Sequence, residues 1–280
     1  MLGEIGGNEE AQPIPATDSK AQILQELILE PLAIVLVMKD DISRQKLEKT
    51  ARGEGADLFG IADLTPALDF IYNQGGDFLK DFPRAISIGV RLLDGIVDRL
   101  PRHSDPYVVR TYQFHVYGVV NPLLDRIAFK VAKEVQDDGY TAFPVPASQG
   151  IDRKENLGVM SHKLAANLAG LGWIGKSCLL VTPDYGPRIR FATVLTDAPL
   201  ETGAPQPSRC GDCRVCIDVC PVKAFTGLPF HPSESREARF KAELCAKYIH
   251  ERPGFPPGES ACGLCVYTCP HGRRRGENNR

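Results

Sequence analysis

The spacing of the cysteines constrains this chain more than any other feature. The chain has 280 residues and nine cysteines, of which eight lie beyond residue 209. The first block follows C-x2-C-x2-C-x3-C-P and contains Cys210, Cys213, Cys216 and Cys220. The second block follows C-x2-C-x3-C-P after an isolated cysteine, and together they contribute Cys245, Cys262, Cys265 and Cys269. The first pattern is the one with which bacterial ferredoxins bind [4Fe–4S] clusters, and eight thiolates suit two such clusters.

The proline after the last cysteine of each block suggests how the ligands divide. In two-cluster proteins with this pattern, the fourth cysteine of the run binds the other cluster. The prediction is that the first cluster is bound by Cys210, Cys213, Cys216 and Cys269. The second cluster is then bound by Cys220, Cys245, Cys262 and Cys265.

Two other uses of cysteine compete with this interpretation. Disulfides at such density are typical of small secreted domains, whereas this chain is long and shows no secretory signal. Structural zinc is usually bound by paired C-x2-C units, and the triplet at 210–216 does not fit a pair. The ninth cysteine, Cys178, lies in an apolar run and is expected to be a buried structural thiol.

Length and composition allow one large or two modest domains with a real hydrophobic core. We expect an N-terminal extension at 1–40, partly disordered, and an α/β cofactor-binding domain at 41–200. A ferredoxin-like two-cluster module at 201–272 and a basic tail at 273–280 complete the prediction. The formal net charge of −2 argues against a surface coated by nucleic acid.

The N-terminal segment lacks the features of an exported or membrane protein. Its first basic residue is Lys20, so it has no basic region typical of a signal peptide. The longest apolar run, Leu32–Met38, is far shorter than the roughly 20 residues that cross a bilayer. We therefore expect a cytoplasmic protein without membrane association.

Apolar runs and helical periodicity predict the elements of the first domain. Strands are predicted at 57–62, 85–90, 141–146, 178–181 and 188–195, the last two joined by a turn at 183–186. Helices are predicted over 42–53, with Asp40 or Asp41 as N-cap, over 120–135 and over 161–169. Tyr112, His115 and Tyr117 are expected to share one further helix. Alternating strands and helices are typical of an α/β domain, here expected to have a mixed sheet.

A glycine-rich stretch, Gly170-Leu-Gly172-Trp173-Ile-Gly175-Lys176, is the second informative motif. Glycines allow a flat or anionic ligand to approach the backbone closely. The string 170–177 also fits G-x4-G-K-S, the P-loop pattern. A P-loop should follow a strand and open a helix, whereas here a predicted helix precedes and an apolar run follows. A third interpretation is a tight turn without a ligand.

The string 162–177 and the three cysteine segments, in this order, resemble epoxyqueuosine reductases, which are relatives of the reductive dehalogenases. The likeness covers roughly 45–270, with strong motifs over 156–270. It implies a nitroreductase-like domain that binds a corrinoid (cobalamin) beside two [4Fe–4S] clusters, with electrons passing through the clusters to reduce a substrate at cobalt. The cofactor-binding residues are then expected to be Gly170, Gly172, Trp173, Gly175 and Lys176.

The chain departs from this family at several positions. Asn156 stands where the family has its proton-donating Asp, and His162 stands where it has a Glu; we carry both as candidate catalytic residues. Ser177 replaces an Asn. Longer members also have a C-terminal helical-repeat region that helps to hold tRNA. These departures argue against tRNA epoxide reduction, so tRNA is only one candidate partner and the substrate stays open.

Two functional hypotheses follow. The first is an iron–sulfur oxidoreductase that passes electrons from a reduced ferredoxin or flavodoxin-like donor, through two clusters, to a bound corrinoid that reduces a substrate. The alternative is a ferredoxin-like electron-transfer protein that reduces a partner protein or its corrinoid and has no substrate chemistry of its own.

Overall fold

The computed structural model describes residues 42–148, 157–231, 234–252, 254–255 and 260–272. The predicted N-terminal extension and basic tail lie outside the described residues. In the described part of the chain, no helix combines the length and apolar character needed to cross a bilayer.

The described residues form six strands and nine α-helices. The strands are β1 Leu58–Asp63, β2 Arg84–Arg91, β3 Ala142–Val145, β4 Trp173–Ile174, β5 Leu180–Val181 and β6 Ile189–Thr196. The helices are α1 Arg44–Gly53, α2 Leu68–Gly75, α3 Asp94–Val97, α4 Pro106–Gln113, α5 Asn121–Asp137, α6 His162–Leu168, α7 Val215–Asp218, α8 Ala242–His250 and α9 Leu264–Tyr267. Short 3-10 helices and one π-helix, Phe114–Val120, stand between them.

The main sheet has four strands in the order β1-β2-β6-β3, and every pairing in it is antiparallel. The α/β character is confirmed, but the prediction of a mixed sheet is wrong. The reason is visible between β1 and β2, where the N–H of Leu64 donates to the carbonyl oxygen of Pro83 at 2.9 Å. The helical connection therefore returns the chain to the end of the sheet at which β1 stopped, and a parallel pairing would require the opposite end.

The strands predicted at 57–62, 85–90, 141–146 and 188–195 are confirmed to within two residues. The strand predicted at 178–181 shortens to β5 and does not pair with β6. It pairs instead with β4, as a separate two-stranded sheet. The glycine-rich stretch thus contributes a strand that its composition did not predict.

Helices α1 and α5 cover the sheet as the periodicity predicted. Leu47 and Ala51 of α1 are fully buried, and α5 buries an apolar face that includes Leu124 and Val131. Helix α1 begins later than expected. Ser43 is its N-cap, with its hydroxyl oxygen accepting from the N–H of Lys46 at 3.2 Å, so the prediction of Asp40 or Asp41 is wrong.

The expected helix carrying Tyr112, His115 and Tyr117 is divided. Tyr112 lies at the end of α4, whereas the other two lie in the π-helix. Tyr112 and His115 are buried, and Tyr117 is 50% exposed beneath the guanidinium of Arg190, 5.2 Å from its ring centre. A π-helical turn inserts an extra residue and so changes which side chains face the core.

The cysteine-rich segments share the core of the α/β part. Ala261, which precedes the second block, and Val266, which lies within it, belong to the main hydrophobic cluster. At the other end of the block, a Cβ added to Gly186 would lie 2.7 Å from Cα of Gly272. The predicted boundary at 200/201 stays a prediction; Leu200 and Ala261, on either side of it, belong to the same hydrophobic cluster.

Candidate metal centre and adjoining cavities

Three segments carry the eight cysteines of the two blocks. The first is the loop 210–220 with the short helix α7, the second is α8 with Cys245, and the third is 260–272 with α9. All nine cysteines of the chain are free thiols. The competing disulfide interpretation is therefore wrong for this structure.

The first group of thiols joins the start of the first block to the end of the second. Burial raises the pKa of Cys216 to about 11, with the nearby thiols of Cys210 and Cys213 adding to the effect. Burial also raises the pKa of Cys269 to about 11, and the same three thiols contribute. The structure thus brings together the four cysteines predicted to bind the first cluster.

The thiols of the second group also raise one another's pKa values. Burial raises the pKa of Cys245 to about 11, followed by contributions from Cys262 and Cys220. Burial raises the pKa of Cys265 far above its ordinary value, and Cys262, Cys245 and Cys220 add to it. Cys216 of the first group also raises the pKa of Cys265, so the two groups are neighbours.

The chemistry of this donor set fits two cubanes. Among the described residues, no three His, Cys, Asp or Glu side chains converge on a point where one metal ion could be bound. A cubane does not require such convergence, because its four cysteines bind four different irons. Two neighbouring groups of four free thiols supply the all-cysteine ligation that [4Fe–4S] clusters use.

Both groups receive N–H···S hydrogen bonds from the surrounding protein. In the first group, Trp173 donates from its indole Nε1 to Sγ of Cys210 at 3.4 Å. Trp173 is 1% exposed, with the ring of His271 edge-on at 4.9 Å and the guanidinium of Arg209 over its face at 5.6 Å. In the second group, the backbone N–H of Ala224 donates to Sγ of Cys220 at 3.4 Å.

The glycine-rich turn holds the first cysteine loop. Lys176 donates from Nζ to the carbonyl oxygens of Gly211 at 2.6 Å and Cys213 at 3.3 Å. A Cβ added to Gly175 would stand 3.5 Å from Sγ of Cys210. The sulfur of a candidate cluster ligand therefore lies next to Gly175, where there is little room for a larger side chain.

The other two glycines of this turn are close to backbone. A Cβ on Gly172 would overlap the carbonyl oxygen of Val181, and a Cβ on Gly170 would lie 2.7 Å from that of Ala204. The turn follows helix α6 and leads into the sheet formed by β4 and β5, which is the reverse of the order in a P-loop. Its glycines are thus required by the packing of protein against protein.

Two cavities are lined in part by the first turn of α6 and the residues before it. The large cavity has a volume of about 850 Å³ and the small cavity about 550 Å³, and they share the wall residues Leu157, Gly158, Met160, Ser161 and Lys163. The volume of the large cavity is typical of small-molecule and cofactor sites. In the walls of these two cavities, as far as the described residues form them, none of the five predicted cofactor-binding residues appears.

Lys163 connects this wall to the second thiol group. Its Nζ donates to the carbonyl oxygen of Cys178 at 2.8 Å, and burial lowers its pKa. Cys265 is among the groups that influence the pKa of Lys163, with the opposite sign. Lys163 therefore stands in the cavity wall and within the electrostatic influence of the second group. The buried position expected for Cys178 is confirmed.

His162 lies in the wall of the small cavity with both ring nitrogens engaged. Nε2 is 2.9 Å from the carbonyl oxygen of Pro146, and Nδ1 is 2.8 Å from Oγ1 of Thr193. Since a carbonyl oxygen only accepts, Nε2 carries the proton and the Thr193 hydroxyl donates to Nδ1. Burial lowers the pKa of His162 to about 4, so the ring is neutral near pH 7. The other candidate catalytic residue, Asn156, lies outside the described residues.

Sequence reasoning missed the cations of the large cavity. Arg239 and Arg236 line its wall together with Lys163. Arg239 comes there because the segments 224–226 and 239–241 pair, with the N–H of Lys241 donating to the carbonyl oxygen of Ala224 at 2.8 Å. No spacing in the sequence signals this pairing.

Comparison with known proteins supports the predicted clusters and the predicted family resemblance. Residues 209–272 match the family model described as a 4Fe-4S double cluster binding domain. Epoxyqueuosine reductase of Bacillus subtilis is 30% identical over 124 residues, which cover 41% of this chain and 30% of that protein. The predicted resemblance to epoxyqueuosine reductases is confirmed, as is the pair of [4Fe–4S] clusters as the cofactor class of residues 209–272.

Solved structures show the same fold. A catabolic reductive dehalogenase superposes with a TM-score of 0.63 at 21% identity, covering 84% of this chain and 33% of that one. An epoxyqueuosine reductase determined with a modified tRNA stem loop superposes with a TM-score of 0.53 at 20% identity, covering 82% of this chain and 65% of that one. The chain spans less than half the length of the curated relatives that it matches.

Proposed function

We propose that this chain is an iron–sulfur oxidoreductase that passes electrons through two [4Fe–4S] clusters to a corrinoid bound in the cavities beside the second cluster. The observation that carries the proposal is the position of Lys163, which lies both in the cavity wall and within electrostatic reach of Cys265. A neighbour with the same fold is described by a mechanism of B12-dependent dehalogenation. A substrate-sized cavity next to a redox centre favours an enzyme over a pure electron carrier.

We assign the cluster ligands by the two thiol groups. Cys210, Cys213, Cys216 and Cys269 bind the first cluster, and Cys220, Cys245, Cys262 and Cys265 bind the second. The support is the set of mutual pKa effects, which runs within each group and, in one instance, between Cys216 and Cys265. When bound, the clusters supply one-electron carriers, and a corrinoid supplies the centre at which the substrate is reduced.

Exposure favours the first group as the point at which electrons enter. Arg209, Gly211 and Arg214 are exposed around the first group, whereas Ala261, Leu264 and Val266 are buried around the second. A reduced ferredoxin or flavodoxin-like donor therefore docks at the loop 209–215 in this proposal. The second group is left to face the cavities.

The glycine-rich turn has a different role in this proposal from the one that the resemblance implied. Trp173, Gly175 and Lys176 position the first cluster, because their contacts are with Cys210, Gly211 and Cys213. The corrinoid is bound by the walls that Leu157–Lys163 provide to both cavities.

His162 positions the cavity wall in this proposal and does not donate the proton. Its Nε2–H is committed to the carbonyl oxygen of Pro146, and a pKa of about 4 leaves no second proton to give near pH 7. The role of Asn156 stays a prediction. A tRNA stem loop, present in the structure of one neighbour, is the substrate to test first. The nine free thiols suit a reducing compartment, so we also propose a cytoplasmic location.

Anoxic purification followed by iron and cobalt analysis tests the proposal. We expect about eight irons per chain. Added cobalamin should bind and change its visible spectrum, and the reduced clusters should be oxidised in a cobalamin-dependent way. Intact clusters with an unchanged cobalamin spectrum would contradict the enzyme and favour the alternative, in which the chain reduces a partner protein.

A further inference from the structure

The large cavity combines an apolar, partly aromatic wall with three cationic side chains. Phe70, Tyr72, Met160 and Phe230 supply the apolar part. Lys163, Arg236 and Arg239 supply the charge. Asp69 and Glu234 also line the cavity, but both are exposed at its rim. The interior of the wall is thus positively charged.

Arg239 is the most constrained of the three cations. Its side chain is on the cavity wall, the residue is only 8% exposed, and its guanidinium lies 4.6 Å above the centre of the Phe230 ring. Its buried Nε–H has no hydrogen-bond acceptor among the described residues. A buried guanidinium without an anionic partner is costly, because desolvation is not compensated. The position of Arg239 therefore favours an anionic ligand, one that does not belong to the described part of the protein.

Lys163 also favours an anionic ligand in the large cavity. One of its three ammonium hydrogens is used by the carbonyl oxygen of Cys178, and that acceptor carries no formal charge. Burial lowers its pKa, and the positive charges of Arg239 and Arg236 lower it further. Arg236 is itself paired with Glu237 at 2.8 Å, and it adds positive electrostatic potential to the cavity. Within the described residues, no carboxylate forms an ion pair with Lys163 or Arg239.

We infer that Arg239 and Lys163 form an oxyanion subsite in the large cavity, which takes a phosphate or carboxylate group carried by a ligand with an apolar or aromatic body. Arg239 suits this role because its planar donors match two oxygens at once, and Lys163 supplies a point charge beside it. That the cavity is the reaction cavity rests on the proposed function, whereas the anion site itself does not. The anion has two sources, the phosphodiester of a bound corrinoid or the substrate.

Benzoate and its neutral analogue benzamide are the first probes, titrated calorimetrically into the anoxic, cluster-loaded chain. We expect benzoate to bind at least about tenfold more tightly than benzamide, as a charge-assisted pair requires. Arg239→Gln should remove this preference, and Arg239→Lys should restore part of it. Arg126→Gln is the matched control, because Arg126 is 61% exposed and outside the cavity. Equal affinity of the wild type for both probes would overturn the subsite.

A preference retained in Arg239→Gln with full iron content would overturn it equally. If that variant loses its iron, Lys163→Gln takes its place and should weaken benzoate but not benzamide; an unchanged ratio would again overturn the subsite. Iron content reports on the clusters separately. Benzoate binding in a chain that lacks eight irons would therefore contradict the proposed function but still support the subsite.

Cobalamin and cobinamide, which lacks the nucleotide phosphate, distinguish the two sources. If the corrinoid supplies the anion, saturating cobalamin should abolish benzoate binding, and Arg239→Gln should weaken cobalamin but not cobinamide. If the substrate supplies it, benzoate should still bind to the cobalamin-loaded chain. Both results support the subsite. Benzoate binding that is independent of Arg239 in both states contradicts it.

Discussion

The two thiol groups are built from similar sequence patterns but lie in different surroundings. Around the first group the chain is exposed, and a side-chain donor, Trp173, and two cations, Arg209 and Lys176, stand next to its loop. Around the second group, Ala261, Leu264 and Val266 beside Cys262 and Cys265 are buried, and the backbone N–H of Ala224 donates to Cys220. Sequence spacing determines which cysteines come together, whereas the surrounding fold determines what each group can exchange electrons with.

Two equivalent glycines show the contrast at atomic detail. Gly211 and Gly263 occupy the same place in C-G-x-C, and both have left-handed backbone, with φ of +46° and +71°. A Cβ at Gly211 would meet nothing within 4 Å. A Cβ at Gly263 would lie 2.8 Å from Leu100 and 3.1 Å from the ring of Tyr112. The first loop is thus open to a partner, and the second is enclosed by the α/β core.

The largest expected effect concerns the division of the ligands between the groups. Cys269→Ala should reduce the iron content from about eight to about four, because one cluster loses a ligand. The loss should resemble that of Cys213→Ala. Cys220→Ala should instead resemble Cys245→Ala, although Cys220 belongs to the first block. Iron analysis and electron paramagnetic resonance of the reduced variants measure this.

Cys178→Ala is the control for these variants and should retain all the iron. The proposed division of the ligands is contradicted if the spectrum of Cys220→Ala is the same as that of Cys213→Ala. In that case each block would bind its own cluster, without the exchange of the cysteines that precede proline.

A smaller effect should separate the two glycines. Gly263→Ala should destabilise the fold by about 2–4 kcal/mol, because left-handed strain adds to the overlap with Leu100 and Tyr112. Gly211→Ala should cost only about 1–2 kcal/mol, the strain alone. Calorimetric unfolding under anoxia measures both. Equal costs would show that the enclosure of the second loop does not govern its stability.

The hydrogen bond from Trp173 should tune only the first cluster. An N–H donor to a ligating sulfur stabilises the reduced, more negative cluster, so its removal lowers the reduction potential. Trp173→Phe should lower that potential by roughly 20–60 mV, the one-electron equivalent of a hydrogen bond worth about 0.5–1.5 kcal/mol. Potentiometric titration monitors both clusters in one sample. An equal shift at the second cluster would argue that the change is a general loss of packing.

The smallest effect concerns the cavity wall beside the second group. The pKa of His162 is lowered to about 4 in the folded chain, whereas an unfolded histidine titrates near 6.5. Between these values the unfolded state binds the extra proton, so stability should fall as the pH falls from about 6.5 toward 4. At pH 5.5 the loss due to His162 should be about 1 kcal/mol.

His162→Gln should therefore show a smaller drop in Tm between pH 7.5 and pH 5.5 than the wild type does. His103→Gln, at a 3-10 helix terminus outside both cavities, is the control and should keep the wild-type drop. If both variants behave as the wild type does, the buried, neutral state of His162 is wrong.

Local patterns predicted the parts of this molecule that local chemistry decides. The cysteine spacing predicted both thiol groups, because a cluster loop must reach the irons over a few residues. Apolar runs predicted the strands but not their direction, because the return of the chain between Leu64 and Pro83 is a tertiary event. The sequence predicted that the glycine-rich turn binds a cofactor. Glycine is required both where a ligand approaches the backbone closely and where Cys210 does, so the sequence does not distinguish the two cases. Arg239 carried no signature, because its place depends on pairing with 224–226.

The contact between Gly186 and Gly272 has a mechanical consequence. Because these backbones touch where no side chain fits, the end of the cysteine-rich region is fastened to the turn that precedes β6. A hinge between the two regions would have to separate this contact before either could swing. The end of the cysteine-rich region is therefore held against the α/β part once the chain has folded, and it cannot act as a freely swinging arm while this contact persists.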